Sequence, residues 1–327
     1  MKSKKLITAI AGLGIVALAL TGCTDSGSGD GETAASGDKP YVAIVSKGFQ
    51  HQFWQAVKQG AEQAAEEFDV TITFEGPDTE ADVDQQIQML QTALDKGPDA
   101  IGFAALDSQA ADPLLQQAKD ANIPVVAFDS GVDSDIPVTT ASTDNKAAAA
   151  EAAKQMADLI GHEGKVALVV HDQTSVTGVD RRDGFVEYME KNEPKIEIVD
   201  TQYGGGDQAK SADLAKAIIA ANPDLKGIYG SNEGSAIGVV QAVTELDMDG
   251  KLTVVGFDSG KAQIDAIKDG LMAGAITQNP VGIGYETVKA AVAAINGEKL
   301  PKTIDTGFFW YDKSNIDSDE IKAVIYE

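Results

Sequence analysis

From residue 40 onward, short β-branched runs alternate with longer amphipathic stretches rich in Ala and Gln. Residues 41–45 read YVAIV, with no polar position on either face, which predicts a strand buried on both sides. Residues 53–68 carry their apolar positions at helical spacing, and a strand is predicted over 70–74. The helix predicted over 81–96 places Val83, Ile87, Leu90 and Leu94 on one face. Strand, helix and strand follow at 100–105, 113–121 and 124–128. In the second half, strands are predicted at 165–170, 196–199, 227–229, 252–257 and 273–277, with helical stretches between them. Strands separated by helices imply α/β architecture, with parallel, doubly wound sheets covered by helices on both faces. A chain of 327 residues exceeds what one hydrophobic core usually serves, so two lobes are expected.

A short internal repeat supports two lobes. Val125 to Gly131 (VVAFDSG) and Val254 to Gly260 (VVGFDSG) agree at every position but one. Each is an apolar strand ending in an aromatic residue, a carboxylate and a small-residue turn. In open α/β sheets the ligand crevice lies beyond the carboxyl ends of the strands, so two facing sheets would aim Asp129 and Asp258 into one cleft. The alternative is that both aspartates cap helices or turns.

The first residues read as an address rather than as fold. Lys2, Lys4 and Lys5 precede an apolar run over residues 6–20, too short for the roughly 20 residues that span a bilayer. Leu20-Thr21-Gly22-Cys23 then has the form of a bacterial lipobox, with the chain's one cysteine at the lipidated position. Residues 1–22 are therefore expected to be a lipoprotein signal peptide, with a chance cysteine after an ordinary signal as the alternative. Residues 23–39, built of Ser, Gly, Asp, Glu, Thr and Ala, read as a flexible tether. Lipid and tether place an acidic body outside the cytoplasm, anchored to a membrane.

Charge narrows the partners. Lys and Arg total 26 against 51 Asp and Glu, for a net charge of −25. So acidic a chain, without a basic stripe, repels phosphate backbones, and no nucleic acid partner is expected. One cysteine excludes an intramolecular disulfide and any multi-cysteine zinc or iron–sulfur site, and three histidines leave few ligands for a transition metal. Asp78, Asp82 and Asp84 lack EF-hand spacing, and read as a loop feeding a helix. No metal or cofactor is expected.

Catalytic signatures are missing from the sequence. There is no phosphate-binding Gly-Lys-Ser/Thr loop, no Gly-x-Ser-x-Gly elbow and no His-Glu-x-x-His helix. His171-Asp172 near Ser175 invites a triad, but a strand-end loop accounts for these residues equally well. What remains is a binding set: Phe53, Trp54, Asp129, Arg181, Asn232, Asp258 and Gln278, all at predicted strand-to-helix junctions. Polyhydroxylated ligands call for carboxylates, amides, a fixed guanidinium and flat aromatic faces, and a hydrogen bond to a charged group contributes roughly 1.5–3 kcal/mol. For Arg181 and Arg182 the alternative is a pair of helix-surface charges.

These residues, in this order, resemble the type I periplasmic binding proteins of the ribose-binding family, the solute-binding components of sugar ABC importers. The resemblance runs from Tyr41 to about Gly307. Val45-Ser46 with Phe53-Trp54 is similar to the family's first strand and paired aromatics, and Ala105 to Ser108 to the loop after the third strand. Ile123 to Asp129 resembles the strand ending in the ligand aspartate, and Thr143-Asp144-Asn145 the first hinge crossing. Arg181 to Phe185, Ser231-Asn232-Glu233, Val254 to Asp258 and Thr277-Gln278 resemble the family's arginine, asparagine, second aspartate and glutamine positions.

The resemblance implies two Rossmann-like lobes joined by three crossings, one of residues 40–143 plus 279–306, the other of 144–278 plus 307–327. Phe53 and Trp54 would stack on a sugar ring. Asp129, Asn232, Asp258 and Gln278 would take hydroxyls, Arg181 an oxygen, and His51 and Thr143 would assist. The chain would act as a monomer, with no enzymatic activity, delivering a monosaccharide or polyol to a membrane permease and its ATPase. Departures bear on which sugar: Ser130 stands where the ribose binders tend to carry arginine, Ala104 where asparagine often reaches the sugar, and His51-Gln52 where Asn-Pro is usual. The rival expectations are a sugar or signal sensor for a membrane receptor, and a glycosidase using Asp129 and Asp258.

Overall fold

The computed structural model describes residues 39–326. The expected signal peptide, Cys23 and the expected tether up to residue 38 lie outside the described residues. The chain opens with β1 (Tyr41–Val45), α1 (Gln52–Glu67), β2 (Thr71–Glu75), α2 (Val83–Asp95), β3 (Ala100–Phe103), α3 (Asp112–Asp120), β4 (Val125–Phe128) and β5 (Thr139–Ser142). It continues through α4 (Asn145–Ile160), β6 (Gly164–Val170), α5 (Val176–Asn192), β7 (Ile196–Tyr203), α6 (Gln208–Ala221), β8 (Leu225–Gly230), α7 (Glu233–Glu245), β9 (Thr253–Phe257), α8 (Lys261–Asp269) and β10 (Gly274–Gln278). It closes with α9 (Pro280–Ile295), β11 (Thr303–Asp305), β12 (Phe308–Asp312) and α10 (Asp319–Lys322).

Among the described residues these strands form two six-stranded sheets, ordered β11-β5-β4-β3-β1-β2 and β12-β10-β9-β8-β6-β7. The two-lobed, doubly wound α/β fold expected from the sequence is thus found. Successive residues of β1 serve opposite faces: Val42 and Ile44 pack with Trp54 and Ile283, while Ala43 and Val45 pack with Phe103 and Leu115. Burial on both faces is why this strand shows no polar alternation. The second sheet is likewise covered, by a cluster around Ile228, Val254 and Tyr311 and another around Phe185, Tyr229 and Phe257.

The expectation of purely parallel sheets fails at one strand. β12 pairs antiparallel to β10, whereas every other pairing is parallel. Topology supplies the reason. The chain passes between the sheets after β5, after β10 and between β11 and β12. The first two passages lead into helices, α4 and α9, after which β6 and β11 run parallel to their neighbours. The third has no helix, so the chain enters the second sheet from the edge at which it left the first and runs backwards.

Helices α1 and α9 pack side by side on the first sheet. Glycines at the crossing allow the approach: a Cβ built at Gly60 would lie 1.9 Å from the Val281 carbonyl oxygen, and one at Gly284 1.8 Å from that of Val57. Gly284→Ala is therefore expected to destabilise the protein by about 1–3 kcal/mol or more through overpacking, despite the about 1 kcal/mol by which alanine is the better helix former. The urea midpoint would read this, and an unchanged midpoint would mean that the helices stand farther apart than described.

Candidate ligand-binding site between the lobes

The repeated strands end in repeated geometry. Asp129 follows β4 and Asp258 follows β9, and both adopt left-handed backbone conformations, with φ of 53° and 78°. Each donates its N–H to the strand beside it, Asp129 to the Ala141 carbonyl at 2.9 Å and Asp258 to that of Ile276 at 2.6 Å. Such a conformation costs a non-glycine residue of order 1 kcal/mol or more, and concentrates at functional sites. Both side chains line a single cavity between the sheets.

Phe53 and Trp54 enter the cavity wall from the first turn of α1, packed edge to face with ring centroids 5.0 Å apart. The Trp54 indole N–H donates to Glu80 Oε1 at 2.7 Å. From the second lobe comes Arg181, which is held on three sides. Its Nε donates to Asn145 Oδ1 at 2.7 Å and its Nη1 to the Ser231 carbonyl at 3.0 Å, and the guanidinium lies 3.7 Å from the centroid of the Phe257 ring. Nη1 stands 3.8 Å from Asp258 Oδ2. The sequence expectation put Arg181 at a strand-to-helix junction. It lies instead in the second turn of α5, and its 3% exposure removes the alternative of a surface charge.

Asn232 caps α7, its Oδ1 accepting from the Ser235 N–H, while its Nδ2 reaches across to Glu80 Oε2 at 3.3 Å. At the end of β10, Gln278 donates from Nε2 to Asp258 Oδ1 at 2.8 Å, leaving Oε1 buried without a hydrogen-bond partner. The alternative of a capping aspartate holds for half of Asp258: its Oδ2 accepts from the Glu233 N–H at the start of α7. His51 also lines the cavity, with Nε2 3.1 Å from the amide nitrogen of Gln50 and 3.8 Å from Glu80 Oε2. Thr143 does not. Its hydroxyl donates to the Gly307 carbonyl at 3.2 Å, tying two of the inter-sheet passages together.

Four further lining residues are not among those expected to bind ligand: Lys47, Glu80, His171 (considered only for a triad) and Thr177. Lys47 lies just beyond β1 and His171 follows β6, where the strand-end rule points. Nothing in the local sequence marks Glu80 or Thr177. Lys47 bridges the lobes, donating to Thr177 Oγ1 at 3.2 Å beside Asp172 at 3.7 Å. The suspected triad is absent, because Ser175 donates to Asp172 at 2.8 Å while His171 Nδ1 lies 2.7 Å from the Ser231 hydroxyl. Among the described residues no group of three His, Cys, Asp or Glu is arranged to hold a metal ion.

The cavity's charges do not balance. Glu80, Asp129 and Asp258 face Lys47 and Arg181. Burial pushes Glu80 up, but His51, Lys47 and the Trp54 N–H outweigh it and leave its pKa lowered. Burial holds His171 well below the usual imidazole range, with Lys47 and Arg181 adding to the effect and Asp172 opposing it. Asp129 receives no side-chain hydrogen bond. Burial first, then Glu80 and Asp258, raise it from 3.8 to about 6 against the pull of Lys47 and Arg181.

A carboxyl whose pKa is raised by folding binds its proton more tightly when folded, so its contribution to stability falls as pH rises from the unfolded value through about 6. Ionised Asp129 should thus cost up to about 3 kcal/mol at neutral pH. Asp129→Asn is expected to raise the melting temperature of the ligand-free protein at pH 7. The gain should shrink to nothing near pH 4, as scanning calorimetry across that range would show. A variant less stable than wild type at pH 7 would contradict this account.

Two helix-covered sheets with a charged cavity between their strand ends define a two-lobed periplasmic binding protein of type I. The chain belongs to this family: residues 42–299 match its periplasmic binding protein domain. It is 30% identical over 266 residues to the D-allose-binding periplasmic protein of Escherichia coli, covering 79% of this chain and 85% of that protein. A solute-binding protein of Agrobacterium vitis, solved with bound D-fucose, superposes with a TM-score of 0.85 at 35% identity, over 88% of this chain and all of that one. Another, from Agrobacterium radiobacter with D-arabinose, gives 0.85 at 30% identity, over 88% and 99%.

Proposed function

We propose that the chain is the extracytoplasmic sugar-binding lipoprotein of an ABC importer, capturing one monosaccharide or related polyol between its lobes and presenting it to the permease. The observation that carries this reading is the cavity itself, in which the Asp129 carboxylate and Gln278 Oε1 have no hydrogen-bond donor. A sugar supplies several hydroxyl donors at once, which is what these acceptors lack. In this reading Asp129, Asp258, Asn232 and Gln278 take hydroxyls, Arg181 and Lys47 donate, and Phe53 and Trp54 cover the ring's C–H face. His51 borders the ring, while Thr143 acts at the hinge. The relatives agree with this reading: one is a D-allose-binding protein, and two were solved with bound D-fucose or D-arabinose.

The lobes divide as 40–143 plus 279–306 and 144–278 plus 307–327, so that closure occurs about the three passages. Residues 1–22 direct export, Cys23 carries the lipid, and the residues up to 39 tether the body to the membrane. Among the described residues no helix is long and apolar enough to cross a membrane. The chain works as a monomeric binding protein rather than as an enzyme.

Thermal unfolding of residues 24–327 against pentoses, hexoses, deoxysugars and polyols tests the reading. At 1,000 times Kd a ligand adds about 4.1 kcal/mol, a shift of several degrees. One or a few sugars should give that shift, and Asp258→Ala should abolish it. No shift with any sugar would overturn the proposal.

A further inference from the structure

The start of α1 has no cap of its own. His51, at the N-cap position, makes no side-chain bond to the helix, and the first turn contains no acidic residue. The first N–H groups of a helix lack intrahelical acceptors, and leaving one buried and unmet is costly. Two of these groups find their acceptor on the other lobe. The Gln52 N–H donates to Glu233 Oε1 at 3.1 Å, and the Phe53 N–H donates to Glu233 Oε2 at 3.2 Å. Glu233 opens α7, directly after Asn232, and is 5% exposed.

The exchange runs both ways. Gln52 Oε1 accepts the Lys261 N–H at the start of α8 at 2.7 Å. The seat is close-fitting: a Cβ built on Gly260 would stand 2.8 Å from the Glu233 carboxyl carbon, and one on Gly234 2.8 Å from His51 Cε1. Glu233 also connects to the cavity without lining it. Its own N–H donates to Asp258 Oδ2 at 3.0 Å, and the residues it caps include Phe53, part of the cavity wall.

The geometry points to Glu233 as an interlobe latch, a positioning residue that caps α1 from the opposite lobe when the cleft is shut and thereby fixes Phe53 and Trp54 over the bound sugar. With the lobes apart, the carboxylate and the two N–H groups are all met by water. The bonds therefore favour the closed state alone, and a contact present only in one state shifts the equilibrium toward it. Its loss falls on escape rather than capture. Charge-assisted bonds of this kind translate into sugar dissociation about 10–100-fold faster, with association changed by less than about 3-fold. The sugar arm of this inference rests on the proposed function, while the closure arm does not.

The test uses residues 24–327, which contain no native cysteine, labelled at Lys119→Cys and Lys191→Cys, exposed positions in different lobes. Interlobe distance distributions are measured by spin-label resonance for wild type, Glu233→Ala and Glu233→Gln, without sugar and with D-fucose, D-arabinose or D-allose. Stopped-flow mixing supplies the rates. Glu233→Ala should move the distribution to longer distances and speed dissociation, while leaving the melting temperature of the sugar-free protein within about 1 °C, which a merely structural role would lower. Glu233→Gln keeps one acceptor oxygen and should fall between the two. Unchanged distances and rates in Glu233→Ala would overturn the latch. If none of these sugars binds wild type, the proposed function is what fails for them, and identical sugar-free distributions in wild type and Glu233→Ala would still overturn the latch.

Discussion

The structure turns on carboxylates buried at the point where two sheets meet. Glu80, Asp129 and Asp258 share a cavity with only Lys47 and Arg181 as permanent cations. Placing a charge in such a site is costly unless hydrogen bonds or counter-charges compensate it. Asp258 is compensated by Gln278, by the N–H of Glu233 and by the nearby guanidinium. Glu80 has Trp54 and Asn232. Asp129 has distant charges alone, and its pKa rises to about 6 in consequence. One carboxylate in the cleft thus has no hydrogen-bond donor from the protein, and its burial costs stability.

Much of the remaining architecture serves to hold that position. The left-handed backbone at both aspartates, fixed by bonds to β5 and β10, turns each carboxylate off its strand end into the cleft. Arg181 is immobilised by Asn145, Ser231 and Phe257, so its charge is delivered in one place. Across the cleft, several of the contacts that shut it are polar: Lys47 to Thr177, Asn232 to Glu80, and the Thr174 hydroxyl to the Leu106 carbonyl. Polar contacts can be exchanged for water at modest net cost. They suit lobes that must part and meet again, whereas the apolar clusters within each lobe stay buried throughout.

The fold was legible where burial leaves a mark on local sequence. Strands such as β1 and β9 are apolar on both faces and stand out, and so do the helices with one apolar stripe. β5, read as Thr-Thr-Ala-Ser, and β11, read as Thr-Ile-Asp, carry no such mark and were missed. The backward run of β12 follows from the lack of a helix before it, which is a property of topology. In the site, the repeat exposed Asp129 and Asp258 because the same turn is built twice. Glu80 and Thr177 escaped notice because their place in the cleft is set by how two lobes come together. Thr143 shows the converse, a residue picked out by family resemblance whose hydroxyl binds the Gly307 carbonyl near the hinge.

The most direct measurement of the central claim is the proton balance of sugar binding. Titration calorimetry at pH 6, in buffers of different ionisation enthalpy, would use whichever sugar shifts the melting temperature. Hydroxyls donating to Asp129 favour its ionised form and lower its pKa. Near pH 6, where the free site is about half protonated, binding should release up to about half a proton per sugar, and Asp129→Asn should release none. Binding with no proton release, or with uptake, would contradict the account of Asp129 as the cleft's waiting acceptor.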